Sequence, residues 1–390
     1  MIGAAVLLCI LPFVVQMAGN AWVRIIDIAL LYVLLALGLN IVVGYAGLLD
    51  LGYVAFYAVG AYMLGLLASP QLTDTFASFA AAFENGLHTP WWVVIPLGAL
   101  VAGGAGVLLG APTLKLRGDY LAIVTLGFGE IVRVFLNNLD APVNITNGPK
   151  GITGIDEISI FGFSLGKTQH FFGLEWPKVT NYYFLFLLLV IFAVIICHRL
   201  ERSRIGRAWM AIREDEVAAK AMGINTRNLK LLAFGMGATF GGVSGVMFAS
   251  FQGFISPESF SLPESVMIVA MVVLGGIGHL PGVIVGALLL AALPEVLRYV
   301  AGPLQQMTDG RLDASILRQL LIALAMIGIM LSRPRGLWPS PEHGRVRAAG
   351  AETPPPQGPG GELPAKLPHG DLPPATRIPP TTGHIVPTER

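Results

Sequence analysis

One stretch of this 390-residue chain has the look of a nucleotide site. GFSLGKT (162–168) suggests a phosphate-binding loop, but such a loop places four residues between its glycines. Here Gly162 and Gly166 enclose three, and Phe161 stands where the first glycine would be required. The titratable residues offer no better constellation. His198 and His279 stand alone near the ends of apolar runs. Cys9 and Cys197 sit in separate apolar runs and read as buried small hydrophobes. An intramembrane enzyme would need paired aspartates or a His-rich set, and neither is visible. No catalytic residue, no metal site, no cofactor bound by this chain and no ATP hydrolysis by it are expected.

What remains is charge in apolar surroundings. Glu130 and Arg133 lie three residues apart, which puts them on one face of a helix where they can pair. A lone charge at the centre of a membrane helix costs roughly 2.5–3.5 kcal/mol, so they must face protein, water or each other. A lining that meets the two ends of a zwitterion is one reading. A structural ion pair, with Arg133 snorkelling toward the outer end, is the favoured one. Asp50 in GYAGLLDLG poses the same question, and support of a helix break is favoured over contact with a solute. Asp27 is expected at the interface.

The densest charge lies elsewhere. Eight of the residues from Arg199 to Lys230 are Lys or Arg, in a chain that is 13% charged. A loop this basic between apolar runs belongs on the cytoplasmic side. Glu214, Asp215 and Glu216 open a short helical run whose first-turn acids suit the helix dipole, and Gly223 suits a left-handed cap. Val217, Ala218, Ala221 and Met222 recur at helical spacing, as do Ala208, Trp209 and Ile212 before them. Arg202, Arg204 and Arg207 would suit anionic lipid, but three adjacent acids would be repelled by it. Docking on a soluble partner explains both signs of charge. The chain therefore reads as a membrane subunit driven by something outside itself.

The surrounding elements must be membrane helices. Hydrophobic residues are 54% of the chain and mean hydropathy is +0.69, more apolar surface than a soluble protein of this length could hide. The fold class expected is all-α and polytopic. About ten spans emerge, near 2–18, 23–43, 53–68, 92–111, 119–137, 182–199, 230–251, 264–278, 282–300 and 315–332. The first lacks the charged start and cleavage site of a signal peptide. With 199–230 inside, alternation places Lys115, Arg117 and Arg333-Pro334-Arg335 inside, 138–181 outside and both termini in the cytoplasm. Two sets of five spans of opposite orientation permit an inverted repeat. The glycines have a mechanical part: Gly44, Gly47 and Gly52 can break a helix, Gly275 and Gly276 with Gly278 mark a sharp turn, and Gly235, Gly237, Gly241, Gly242 and Gly245 are expected to share one face of the seventh span. Residues 1–338 form the membrane domain. Residues 339–390 hold 13 of the 27 prolines and are expected to be a disordered cytoplasmic tail.

Several of these stretches carry a family resemblance. EDEVAAKAMGIN (214–225) resembles the coupling loop of ATP-binding-cassette (ABC) importer permeases, with Glu216, Ala218, Ala219 and Gly223 in place. GLNIVVGYAGLLDLGYVAFYAVGAY (38–62), LKLRGDYLAIVTLGFGEIVR (114–133), TNGPKGI (146–152), GFISPESF (253–260), VVLGGIGHLPG (272–282) and RPRGLWP (333–339) are similar to the permeases of branched-chain amino acid importers. The resemblance runs in order from about residue 25 to 339 and leaves the tail uncovered. It implies a bacterial inner-membrane subunit paired with a homologous second permease, two cytoplasmic ATPases that use ATP-Mg and an extracytoplasmic binding protein, with no nucleic acid. It assigns ATPase coupling to Arg207, Trp209, Ile212, Glu214, Asp215, Glu216, Ala218, Ala219 and Gly223. Docking of the binding protein would fall on Asn147, Gly148, Pro149, Pro257 and Glu258. The solute implied is leucine, isoleucine or valine, with urea or short amides as the family alternative. An autonomous channel or secondary transporter is the rival outside the family.

Overall fold

A computed structural model describes residues 2–307 apart from 18, 83–85, 115, 117, 161–162 and 172–173, together with 320, 323–324, 327–328, 331–332 and 336–338. Most of the expected tenth span, the Pro-rich segment, Lys115, Arg117, Arg333-Pro334-Arg335 and Gly162, the first residue of the GFSLGKT stretch, lie outside the described residues.

The apolar runs fold as helices because only a helix satisfies its own backbone in hydrocarbon. With the shorter helices between them, the α-helices are α1 (Ile2–Gln16), α2 (Asn20–Asn40), α3 (Val54–Leu67), α4 (Gln71–Thr75), α5 (Ala77–Ala82), α6 (Trp91–Thr113), α7 (Asp119–Asn137), α8 (Lys178–Glu201), α9 (Arg204–Glu214), α10 (Glu216–Ala221), α11 (Thr226–Gln252), α12 (Leu262–Gly275) and α13 (Leu280–Met307). Five stretches are long and apolar enough to cross a membrane: Asn20–Tyr45, Trp91–Thr113, Lys178–Glu201, Thr226–Gln252 and Pro257–Gly275. Val54–Leu67 and Leu280–Val296 are shorter apolar helices. The 15-residue α1 and the charged α7 fall outside that set.

The bundle is organised around α11. Its glycines do not share one face. Gly235 and Gly242 meet α6 at Gly103 and Gly98, whereas Gly237 meets α2 at Gly38, and Gly241 and Gly245 meet α3 near Phe56 and Tyr57. Seven residues are close to two full turns, so 235 and 242 align, while 237, 241 and 245 follow the i, i+4 row on the other side. The expectation of a single face thus gives way to a helix wedged between neighbours. A Cβ at Gly60 would strike the Gly242 carbonyl, and one at Gly245 would strike that of Tyr57, so backbone packs directly on backbone.

The helix ends fall into two groups. At one end the 46–53 connection, α9 and the 276–279 turn meet. At the other, Arg24 reaches Gln252, Thr75 reaches the Asn144 carbonyl, and Trp91 reaches the Ser159 carbonyl. The second end departs from a purely helical fold. Ile152–Thr153 pairs antiparallel with Phe254–Ile255, Ser159–Ile160 with Phe163–Ser164, and Gln169–Phe171 with Leu174–Trp176. The GFSLGKT stretch is therefore strand and turn leading into another strand, with no helix after it for a phosphate to cap.

Asp27 is fully buried within the bundle, and neither carboxylate oxygen has a hydrogen-bond partner. Arg24, one turn away, points elsewhere, to Gln252 and over the Phe251 ring at 5.9 Å. Contrary to expectation, Cys9 is exposed, because α1 lies on the rim of the bundle and turns that side outward, while Cys197 is buried.

Candidate coupling end and translocation elements

The basic segment forms two short helices with defined caps. Ser203 Oγ accepts the Gly206 N–H at 3.1 Å and starts α9. Asp215 closes α9 and opens α10, its Oδ1 accepting the Val217 and Ala218 N–H groups at 2.8 and 3.0 Å. The end of α10 is closed by Gly223 at φ +84°, with Gly223 N–H to the Lys220 carbonyl and Ile224 N–H to the Ala219 carbonyl. Those two bonds are the 5→2 and 6→1 pair that a left-handed glycine permits. A β-branched or proline residue could not follow that path.

The two apolar stripes point in opposite directions. Trp209 and Ile212 are buried, and the Trp209 indole donates to the Leu229 carbonyl at 2.7 Å. Ala219 is buried beneath α10. Val217, Ala218, Ala221 and Met222 are exposed, Met222 to 83%. Arg207, Glu214, Asp215 and Gly223 are exposed with them, and Arg207 bonds the Arg202 carbonyl. Glu216 pairs with Lys230 at 2.8 Å, and that lysine is 8% exposed. So α9 is seated by its apolar face, while α10 is anchored by one ion pair and one alanine and presents an apolar face outward.

Arg213 was not singled out by spacing or composition. Its Nη1 donates to the Gly44 carbonyl at 2.6 Å. Its aliphatic stem packs on Gly47, where φ is +69° and a Cβ would lie 2.8 Å from Arg213 Cγ. Nη1 also rests against Gly278, whose N–H donates to Asn40 Oδ1 at 2.9 Å. Burial draws its pKa below the ordinary arginine value and the Glu214 carboxylate draws it back, and the guanidinium stays cationic. The only advance signal was a basic residue beside the acidic triplet.

The helix-break residues gather at the same end. Residues Ile41–Tyr45 widen to a π-helix that ends there, so the Gly44 carbonyl lies in the last turn without an intrahelical partner, and Arg213 takes it. Gly275 and Gly276 end α12, Gly276 at φ +120°, and Gly275 packs on the Gly282 backbone of α13. Gly52 packs on the Thr125 backbone of α7. Asp50 is 1% exposed; Oδ1 accepts the Gly52 N–H at 2.9 Å. Burial pushes its carboxyl up to about 6, with the Gly52 N–H and the neighbouring Thr125 hydroxyl acting the other way.

Glu130 and Arg133 do pair, at 2.9 Å on α7, and Arg133 also lies 3.7 Å from Glu258. They are about 30% exposed, a partly open bridge from α7 to the Pro257–Phe260 turn rather than a sealed pair. Asn147 takes φ +61° and is held by Asn144 and by the Gly151 carbonyl. The Ile152–Ile255 pairing brings Asn147, Gly148 and Pro149 beside Pro257 and Glu258 at the far end from α9.

A helical bundle with several stretches long and apolar enough to cross a membrane, carrying a short capped helix whose apolar side is exposed, has the architecture of a polytopic membrane protein. Residues 22–330 match the family described as branched-chain amino acid transport system permease components, and the chain belongs to that family. It is 40% identical to the high-affinity branched-chain amino acid permease LivM of Escherichia coli over 335 residues, 83% of this chain and 71% of that protein. Against LivM of Salmonella typhimurium the identity is 40% over 340 residues, 84% of this chain and 72% of that one. It is also 26% identical to the permease LivH of Salmonella typhimurium, over 66% of this chain and 79% of that protein. No solved structure matches it.

Proposed function

We propose that this chain is one of two homologous membrane permeases of an ABC importer that carries leucine, isoleucine and valine across the bacterial inner membrane. The likeness to both LivM and LivH, at different identities, supports a pair of related permeases rather than a permease acting alone. Two cytoplasmic ATPases bind the α9–α10 end and use ATP-Mg there, and a binding protein delivers solute to the patch around Asn147–Pro149 and Pro257–Glu258. About ten spans, a cytoplasmic start and a cytoplasmic Pro-rich tail complete the arrangement.

The observation that carries this proposal is the α10 helix. It has a buried anchor, an aspartate cap at its start, a left-handed glycine cap at its end and an apolar stripe open to solvent, which is the form of a helix made to fill a groove. The test is co-expression with a LivH-type permease and the two ATPases, followed by co-purification and solute-stimulated ATP hydrolysis. Glu216→Lys sets like charge against Lys230, and Gly223→Pro removes the left-handed cap. Either change should release the ATPases and stop uptake. Retention of both functions in both variants would end the coupling assignment, and uptake by this chain alone would favour a channel or secondary transporter.

A further inference from the structure

Asp50 has one oxygen more than its local turn requires. Oδ1 accepts the Gly52 N–H and shapes the start of α3, a task an asparagine would perform equally. Oδ2 is buried and has no hydrogen-bond partner, and Asp50 makes no ion pair among the described residues. A buried carboxylate is costly unless a cation meets it.

A cavity of about 270 Å³ lies beside that carboxylate, between α3, α6 and α7. This is slightly below the ~300–1,000 Å³ of pockets that hold drug-sized ligands, so it suits a smaller solute. Its walls are largely hydrocarbon, with Phe56, Leu109, Val124, Phe128 and Phe234 among them. Two hydroxyls also line it, and both donate to backbone: Thr113 to the Leu109 and Gly110 carbonyls, Thr125 to the Ala122 carbonyl. Among the described residues, Asp50 is the one charged side chain on the wall. An apolar chamber with one fixed negative charge accepts a hydrocarbon chain bearing an ammonium group and rejects one bearing only a carboxylate.

We infer that Asp50 and the α3–α6–α7 cavity form an ammonium-selecting station for an aliphatic amino acid at the coupling end of the bundle. The inference rests on the importer reading above and adds the recognition chemistry. Asp50 Oδ2 takes the α-ammonium, the aromatic walls take the branched side chain, and the solute's carboxylate stays toward the mouth of the cavity. The charge lies at the end where Arg213 joins α9 to the helix breaks, so a stroke delivered there reaches the 46–53 connection directly.

The experiment uses the whole importer in proteoliposomes, with leucine uptake normalised to the co-purified ATPases. Asp50→Asn keeps an acceptor for the Gly52 N–H and removes the charge. Uptake should fall at least tenfold. In the wild type, 3-methylbutylamine should inhibit from the ATPase side far more strongly than 4-methylpentanoate, and Asp50→Asn should lose that preference. Val124→Phe, which narrows the cavity without touching the carboxylate, should depress leucine uptake more than valine uptake. Leucine uptake by Asp50→Asn within twofold of wild type would overturn the station and leave the importer standing. So would equal inhibition of the wild type by amine and acid, a comparison that decides the matter even if Asp50→Asn fails to assemble. Absence of leucine uptake by the wild-type importer would overturn the importer reading itself.

Discussion

Arg213→Ala should uncouple ATP hydrolysis from transport without dislodging the ATPases. The guanidinium makes a charge-assisted bond of 2.6 Å to the Gly44 carbonyl, which lies in the last turn of its helix and so has no intrahelical partner. Hydrogen bonds to charged groups are worth about 1.5–3 kcal/mol, and this one is only part-buried, so the lower end applies, about 1.5 kcal/mol. A contact moves a two-state equilibrium only by the difference in its strength between the states. If the bond is made in one state and lost in the other, its removal shifts the balance by about tenfold. The readout is leucine moved per ATP hydrolysed. That ratio should fall toward one tenth in Arg213→Ala and less in Arg213→Lys, which keeps charge but replaces the planar fork with a single ammonium. ATPase co-purification should persist, because the Arg213 guanidinium is engaged by the Gly44 carbonyl and takes no part in the exposed apolar stripe of α10. An unchanged ratio would refute the link. Loss of the ATPases in proportion to loss of uptake would show that Arg213 only holds the docking helices in place.

Three further outcomes follow from named contacts. Met222→Asp places a charge on the open face of α10 and should abolish ATPase co-purification while leaving the permease's own thermal unfolding within a degree or two, since this side chain is 83% exposed. Gly245→Val drives a branched side chain into the Tyr57 carbonyl and should destabilise the bundle by about 1–3 kcal/mol or more, visible as a lower unfolding midpoint in detergent. Asp50, with its carboxyl pushed up to about 6, is ionised above that pH and neutral below it. Acidifying the ATPase side from about 7.5 to about 5.5 should therefore weaken uptake with a midpoint near 6, while Asp50→Asn stays flat across the same range; a parallel fall in both would assign the titration to another group.

The sequence made the helices legible where length and composition alone decide, as in α2, α6, α8 and α11. It also located the caps of α10, because Asp215 and Gly223 act through their own backbone within one helical turn. It was blind wherever a residue's part depends on a distant neighbour. Arg213 looked like any other cation of a basic loop until the fold carried it to Gly44, 169 residues away. Nothing near Asp27 in the sequence shows that packing against the other helices seals its carboxylate completely. The short ladders of the second end were missed because Ile152 and Ile255 pair across a hundred residues in strands of two residues each, too short for any alternation to show. Even the α11 glycines were misplaced by treating clustering in sequence as clustering on a face, when the helical period separates 235 and 242 from 237, 241 and 245.

The two anchors of α9 and α10 lead to different parts of the bundle, and this shapes how a stroke delivered there would be shared. Glu216 and Lys230 tie α10 to the second turn of α11, the helix against which α2, α3 and α6 all pack. Arg213 ties α9 to the widened end of α2 and to the Gly278 turn between α12 and α13. Backbone-to-backbone glycine contacts make the first route stiff, because close-packed interiors transmit displacement rather than absorb it. The second route ends on a π-segment and on glycines at positive φ, where backbone torsions can change at little steric cost. A push on α10 would therefore move α11 and its neighbours as a body, while the same push through Arg213 would be taken up as local rearrangement at residues 41–47 and 276–278. Asp50 and its cavity lie between these two responses, so relative motion of α11 against the 46–53 connection would change the shape of the chamber that the carboxylate faces.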